Sequence, residues 1–420
     1  MKVMIVHSRY RSAAPSGENR VVDQEGAALA RLGHEVLRFE RHSDDIAGWP
    51  RARKAALPAQ VVWNPGARRA LAAELRATRP DVVHVHNTFP LLSASVLYAC
   101  RDVGVPVVAT IHNYKLECAS GDFFRAGAVC HDCAGRLPLP ALRHGCYRTS
   151  RIATAPVALA ATLHRQAWKT LVSAYIFISG PERDLLHGLG LPPARVFVRH
   201  NLIPAAAPGP LAAASASPAS AGGSGPREGP PEVIYAGRLD AAKGLRVLMA
   251  GWDRYCATSA PPGLRLVIAG SGQMEGEVAA WAATRPSVRL TGQLDAAECI
   301  AAMADARAVI LPSAWEETFG LAAVEAMALG VPPVAAGHGS FTELVTDGVD
   351  GVLFRPGDSE SLARALADAA SAPIKFAEYG RQARKTYEQR FDPGDSVRNL
   401  LGIYRFAIAN PAYVTSGSER

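Results

Sequence analysis

Short apolar runs alternate with longer amphipathic stretches along this chain. Residues 3–6, 34–39, 81–85, 105–111, 174–178 and 196–199 read as short buried strands separated by helical patterns. The same alternation restarts at Val233, continues at Leu264, Val288, Ala308 and Val331, and gives way to helical sequence from Ser359. Strands that are apolar throughout predict parallel sheets covered on both faces by helices, since a strand with one wet face would alternate. Between the two series, residues 205–231 are Ala, Pro, Gly and Ser without hydrophobic periodicity, which cannot pack a core. The expected plan is therefore an α/β domain over residues 1–204, a low-complexity linker over 205–231, and a second α/β domain over 232–394. A last helix, about residues 395–408, would cross back onto the first domain, with a tail to residue 420. Sheets of this kind bind ligands at the carboxyl ends of their strands, so two facing sheets would place two substrates across one cleft.

Composition narrows the class without choosing a function. At 420 residues with 49 % hydrophobic side chains, the chain can bury a full core in each of two or three domains. The first residues, MKVMIVHSRY, read as a strand with no signal-type cleavage site, and the longest apolar helical run, residues 153–163, is too short to span a bilayer. A cytosolic protein is expected. A net charge of +7 points to anionic partners, and nucleoside diphosphates or acidic membrane surfaces meet that description as well as nucleic acid does.

Candidate chemistry concentrates in residues 311–335, LPSAWEETFGLAAVEAMALGVPPVA, where Glu317 and Glu325 bracket the start of a helix. Residues 312–318 read as a loop, the chain from Gly320 as a helix, and Gly330 with Pro332 as its stop. Glu317 then precedes the helix and Glu325 lies inside it, with Thr318, Phe319, Gly320 and Leu321 at the turn between them. Amides at such a helix start offer partial positive charge to a diphosphate, and carboxylates accept sugar hydroxyls. An amphipathic helix carrying two solvated glutamates is the alternative for this segment alone. Two more segments, Tyr235-Ala236-Gly237-Arg238-Leu239-Asp240 followed by Lys243-Gly244, and Val267-Ile268-Ala269-Gly270-Ser271-Gly272, put glycine directly after an apolar strand. Taken singly, each also fits a packing turn. Together the three resemble the spaced-glutamate signature of family 4 (group 1) glycosyltransferases, retaining enzymes with the GT-B fold of two facing Rossmann-like domains and an interdomain cleft. The resemblance spans nearly the whole chain and is densest over residues 233–354.

That resemblance implies a retaining transferase moving a hexosyl group from a nucleoside diphosphate sugar to a hydroxyl acceptor, with no metal in catalysis. Arg238 and Lys243 would neutralise the leaving diphosphate, Glu317 would hold sugar hydroxyls, and Glu325 the ribose. Gly237, Gly270 and Ser271 would line the donor pocket, and His112, in the segment Thr110-Ile111-His112-Asn113-Tyr114, would support the sugar near its anomeric centre. Ser16 and Gly17 would face the acceptor; family members often carry two adjacent glycines there, and Ser16 replaces one. The setting implied is synthesis of cell-surface polysaccharide, lipopolysaccharide or glycolipid, with an acceptor class that includes lipid-linked hydroxyls. Two other classes remain open: a GT-B epimerase or phosphorylase, and a zinc-containing nucleic-acid binder. The second predicts clustered basic and aromatic residues, which the C-terminal half lacks.

Four of the seven cysteines, Cys118, Cys130, Cys133 and Cys146, fall in one insertion over residues 115–150, with Cys130 and Cys133 as a CxxC pair. Structural zinc on a four-cysteine set is one reading and unmetallated thiols or disulfides the other. This insertion is similar to a cysteine-rich one in some relatives that share the His-Asn-Tyr segment. Cys100, Cys256 and Cys299 read as buried small hydrophobes. His84 and His86 are assigned to opposite phases of their strand, with packing preferred over a metal pair. Residues 41–79 hold eight Arg or Lys against three Asp or Glu, with Trp49 and Trp63 interspersed. Either a solvated helical face or peripheral docking on an anionic membrane accounts for them.

Overall fold

The computed structural model describes residues 1–12, 16–204, 230–258 and 263–413. The linker expected over 205–231 lies, except for its last two residues, outside them. The chain forms two compact units: one of Met1–Phe123, Cys130–Leu202 and Pro393–Arg420, the other of Phe124–Val129 and Ile203–Asp392. The final helix, Pro393–Ala409, thus belongs to the first unit.

The first unit contains β1 (Lys2–Arg9), β2 (Glu35–His42), β3 (Val82–Asn87) and β4 (Val107–Ile111). In sequence a small antiparallel hairpin of the other unit, β5 (Phe124–Arg125) with β6 (Ala128–Val129), precedes β7 (Ala174–Phe177) and β8 (Val196–Val198), which complete the first unit's strands. The six-stranded sheet is parallel throughout and runs β2-β1-β3-β4-β7-β8. The second unit repeats the plan with β9 (Glu232–Ala236), β10 (Arg265–Ala269), β11 (Val288–Gly292), β12 (Ala308–Leu311), β13 (Pro333–Ala336) and β14 (Val352–Phe354), ordered β11-β10-β9-β12-β13-β14. In each sheet the first strand lies inside and successive strands are added first on one side and then on the other. The strand order therefore reverses between β1 and β3, and between β9 and β12, which opens a crevice at the carboxyl ends of these strands.

The apolar runs account for the core. In β3 and β4 every residue is buried, as parallel strands covered on both faces must be. In the first unit Val3, Ile5, Val82, Val108, Ala174 and Ile176 pack with Val397, Leu400, Ile403, Tyr404 and Ala407 of the last helix. In the second, Trp252 and Tyr255 pack with Leu266, Ile268 and Ile310. The strand read from Val331 begins at Pro333, because Gly330, at φ 72°, and the proline-containing turn after it take up the helix stop. The three residues of β14 are too few to show a pattern in sequence. Within 114–150, Gly121, Phe123, Ala126, Gly127, Gly135, Gly145, Arg148 and Thr149 all have positive φ, a density of turns that no periodicity could predict.

Candidate active site

In the second unit, three strand ends bring glycine backbones into contact. The Gly237 amide donates to the Ala269 carbonyl at 3.0 Å, and the Gly270 amide to the Gly292 carbonyl at 2.8 Å. A Cβ on Gly270 would lie 1.9 Å from the Gly237 carbonyl oxygen, at a φ of 141°. The next turn is as tight: Gly244, at φ 73°, packs so closely on the loop after β12 that a Cβ would fall 1.7 Å from the Pro312 oxygen. Side chains larger than hydrogen are excluded here by backbone.

That packing sets Lys243 against the loop after β12. Lys243 Nζ donates to Glu317 Oε1 at 2.7 Å, joining residues 74 apart in sequence. Ser313 Oγ donates to the same oxygen at 2.6 Å and Trp315 Nε1 at 2.9 Å. The Lys243 ammonium also lies 5.1 Å from the Trp315 ring centre. Burial alone would push the Glu317 carboxyl up; the Lys243 charge and the three donors outweigh it and hold the group below its ordinary range. The loop is supported from beneath. His338 Nε2 donates to the Ser313 carbonyl at 2.8 Å, the Ser340 amide donates to the Glu317 carbonyl at 3.0 Å, and Gly339, at φ 56°, leaves room for the Glu317 amide.

The helix Leu321–Ala328 follows, with Gly320 as its N-cap at φ 85°, where a Cβ would meet the Phe341 ring at 2.5 Å. Thr318 and Phe319 are buried in the turn, Leu321 opens the helix, and Glu325 lies half-buried in its second turn. Arg238 reaches Asp240 at 2.9 Å with its side chain 57 % exposed, and Ser271 Oγ donates to Gln293 Oε1 at 3.1 Å. Gly237, Arg238, Lys243, Gly270, Ser271 and the 317–325 segment thus belong to one sheet edge. Ser313, Trp315, His338 and Gly339 escaped the sequence reading, although the glycines of 337–339 after β13 repeat the signal seen at 237 and 270.

In the first unit the strand ends carry a different set. His112, directly after β4, is buried, and its Nε2 lies 2.9 Å from His86 Nδ1. His84 and His86 are two residues apart and so share one face of β3, with ring centroids 3.9 Å apart; their assignment to opposite phases is corrected by the period of two. His84 is held on both nitrogens, by Tyr404 Oη at 2.8 Å and Thr110 Oγ1 at 2.7 Å. His7 Nε2 bonds Asn19 Oδ1 at 2.8 Å. Burial, joined by neighbouring positive groups, drives His112 down to about 3, His7 to about 4, and His84 and His86 well below their ordinary value. Ser16 is the N-cap and Gly17 the first residue of the helix Gly17–Arg31. Glu18, next in line, was missed; burial pushes its carboxyl up to about 8 despite hydrogen bonds from Tyr10 and Asn113.

The four clustered cysteines are thiols outside any disulfide, Cys118 and Cys133 buried, Cys130 and Cys146 half-buried. Burial pushes the Cys133 thiol up to about 11, and Cys118, Cys146 and Cys130 add to the rise. The donor set fits zinc in kind, three further thiols about that of Cys133, but the four sulfurs do not all lie within 4.8 Å of one another, looser than in a closed site. Among the described residues, the acidic, histidine and cysteine ligand atoms that all lie within 4.8 Å of one another belong to Glu25, His84 and His86. Cys100 is buried as expected, whereas Cys256 and Cys299 are half-buried, because their helices turn those positions toward the rim of the core.

The family profile described as "Glycosyl transferases group 1" matches residues 218–386, and that described as "Glycosyltransferase Family 4" matches residues 15–206. The chain belongs to the group 1 glycosyltransferases of family 4. A glycogen synthase of Mycobacterium tuberculosis is 29 % identical to this glycosyltransferase over 93 % of the chain and 91 % of that protein. A phosphatidyl-myo-inositol mannosyltransferase of Propionibacterium freudenreichii is 33 % identical over 44 % of the chain and 46 % of its own length. Among solved structures, a sucrose-phosphate synthase from Thermosynechococcus elongatus superposes with a TM-score of 0.69 at 20 % identity, covering 97 % of this chain and 99 % of that one. Anabaena HepE in complex with UDP gives 0.66 at 19 %, covering 96 % and 99 %. These likenesses give the glycosyltransferase the GT-B fold. No helix among its described residues is long and apolar enough to cross a membrane.

Proposed function

We propose that this glycosyltransferase moves a hexosyl group from a nucleoside diphosphate sugar to a hydroxyl acceptor with retention of anomeric configuration, in the assembly of a cell-surface polysaccharide, lipopolysaccharide or glycolipid. The observation that carries the reading is the Lys243–Glu317 pair, with three donors on a single buried carboxylate oxygen. Saturating Oε1 keeps Glu317 ionised and rigid, so Oε2 can accept hydroxyls of the donor sugar. Lys243 and Arg238 offset the charge that develops on the departing diphosphate, the helix start at Gly320–Leu321 adds partial positive charge, and Glu325 binds the ribose. Gly237, Gly270 and Ser271 border the nucleotide. His112 supports the sugar near the anomeric carbon, and the departing phosphate takes the acceptor proton, so neither a protein nucleophile nor a catalytic metal is required. Solved complexes of HepE with UDP and UDP-glucose, and the mannosyltransferase relative, support a nucleotide-sugar donor and an acceptor class that includes lipid-linked hydroxyls.

A thermal-shift screen against nucleoside diphosphates and their sugars tests the reading, since a ligand of the folded state raises the midpoint. UDP and UDP-glucose are expected to do so, and Lys243→Ala to abolish the shift. Nucleotide release that does not depend on an acceptor would favour an epimerase instead.

The first unit carries two further proposals. Cys118, Cys130, Cys133 and Cys146 hold one structural zinc, drawing together sulfurs that already share a neighbourhood. Elemental analysis of reduced, chelator-free protein is expected to give about one zinc per chain, and none after Cys130→Ser. The exposed Arg51, Arg53 and Lys54 give peripheral contact with an anionic membrane surface. Trp63 and Arg68 are not part of that face, since Trp63 stacks on His164 and Arg68 pairs with Asp102.

A further inference from the structure

The helix Arg151–Leu163 of the first unit inverts the usual pattern of a surface helix. It rests on its own unit through Thr154, Val157 and Ala158, which are buried. At 3.6 residues per turn, Ile152, Leu159 and Leu163 fall within about 40° of one another on the opposite side. Ile152 is 88 % exposed there, Leu159 49 % and Leu163 58 %. Ala155 is exposed beside them, and Arg151 is the one charged residue of the helix. A solvated face at this spacing would be polar. The short helix Leu139–His144 packs against it and adds Leu139, with Leu137 just before, both exposed.

The charges along these helices have one sign. Residues 133–181 hold six Arg or Lys and no Asp or Glu, and Arg136, Arg143, Arg148 and Arg151 among them are exposed. The helix Arg51–Val62 also packs against Arg151–Leu163, with Arg51, Arg53 and Lys54 exposed, and residues 46–73 are likewise free of acidic side chains. An apolar stripe among basic residues narrows the choice of what covers it. A second copy, paired about a two-fold axis, would set the basic residues against themselves. A protein interface draws its anchors from aromatic side chains, whereas this stripe is aliphatic throughout. An anionic bilayer meets both features at once, since acyl chains take the stripe and headgroup phosphates the arginines. With 13 residues the helix is too short to span, so it would lie along the surface.

We infer that the helix Arg151–Leu163 lies in the headgroup boundary of an anionic membrane, with Ile152, Leu159 and Leu163 among the acyl chains and the neighbouring arginines on lipid phosphates. This deepens the peripheral contact proposed above and rests on that reading for the sign of the lipid; the apolar stripe is an observation of its own. Arg51, Arg53 and Lys54 supply attraction, which alone would hold the protein in no fixed pose. The stripe supplies depth, and it decides which face of the first unit is turned to the bilayer.

The test is photolabelling of the full chain by a carbene probe dissolved in the acyl region of vesicles of phosphatidylcholine and phosphatidylglycerol in equal parts. Trypsin cuts after Arg151 and Arg165, so the whole stripe is recovered in the single peptide 152–165. Label is expected in that peptide with these vesicles and not with phosphatidylcholine alone. Ile152→Ser, Leu159→Ser and Leu163→Ser together are expected to weaken co-sedimentation about a hundredfold at unchanged Tm, since all three side chains face solvent in the free protein. Protein that co-sediments while the peptide stays unlabelled overturns the insertion and leaves the basic contact standing, and this decides the matter even where the triple variant fails to fold. Undiminished co-sedimentation of a folded triple variant overturns the insertion as well. Label that persists after Arg51, Arg53 and Lys54 are changed to Glu counts against the basic contact and leaves the insertion standing. A dimer in solution that the serine variant dissolves overturns the inference in favour of a second copy, and failure to bind any vesicle overturns it in favour of an acidic protein.

Discussion

At the strand ends of the C-terminal unit, Lys243 and Glu317 meet as a full ion pair, and the backbone about them is so close that only glycine fits at 244 and 270. At the corresponding place in the N-terminal unit, His7, His84, His86, His112 and Glu18 are all driven toward their uncharged forms by burial. One site keeps charge by supplying opposite charge and donors at once. The other removes charge and leaves directed hydrogen bonds. The contrast suits the parts proposed for them, since a departing diphosphate needs countercharge, whereas support of a neutral sugar near its anomeric carbon can be given by an uncharged ring.

Substitutions in either unit put this contrast at risk. The largest effect is expected from Lys243→Ala, which removes the countercharge and leaves Glu317 buried beside Ser313 and Trp315; turnover should fall on the order of a hundredfold or more. Glu317→Ala should do the same to turnover, and Glu325→Ala should act mainly on donor KM. Near-normal kinetics in Lys243→Ala and Glu317→Ala would end the assignment of charge to this site. Next comes Gly244→Ala, where a Cβ has no room at a φ of 73°. A loss of about 3 kcal/mol or more in denaturant unfolding is expected, against about 1 kcal/mol for Gly33→Ala, whose φ is 79° but which has nothing within 4 Å of the added atom. Equal losses would show that backbone closeness is not what distinguishes the C-terminal unit.

The neutral site gives a titration of its own. Glu18 holds a proton in the folded chain up to about pH 8 but releases it at its ordinary value, 4.5, once unfolded. Between those values the folded state binds the extra proton, so stability falls as pH rises, at up to about 1.4 kcal/mol per unit. Glu18→Gln should therefore raise Tm at pH 8 and change it little at pH 4. The histidines act in the opposite sense: neutral when folded and charged below 6.5 when unfolded, they lose stability as pH falls from 6.5 toward about 4 for His7 and about 3 for His112. A Glu18→Gln chain with an unaltered pH profile would place that carboxyl outside the neutral set. The smallest effect is at the surface. Changing Arg51, Arg53 and Lys54 to Glu should abolish low-salt co-sedimentation with anionic vesicles, which is worth about 1 kcal/mol per residue. Equal retention on neutral vesicles would rule out the electrostatic contact.

What could be read from sequence followed what is local. The strand series, the glycine after each strand, Glu317 before a helix and Glu325 inside it all depend on residues a few positions apart, and the structure places them as the pattern implies. The meeting of Lys243 with Glu317 could not be read, because it depends on β9 and β12 being neighbours in the sheet. His84 and His86 misled the reading for a simpler reason: two residues on a strand return to the same face, and their environment comes from Tyr404 and Thr110, far apart in sequence. Glu25 gave no sequence signal at all. It looks like any polar residue on a surface helix, and only Arg199 and Ser396 make it an interior group.

Those last contacts bear on how the molecule is made. The helix Pro393–Ala409 supplies Val397, Leu400, Ile403 and Tyr404 to the core of the first unit, yet it is translated after every residue of the second sheet. A nascent N-terminal half must wait, with Val3, Val82, Val108 and Ile176 lacking their cover, until the second sheet has been synthesised in full. The unit begun first on the ribosome is thus completed last. A fragment ending at residue 204 would present the same uncovered face to solvent, and chaperones that shield apolar surface would be its natural companions during that interval.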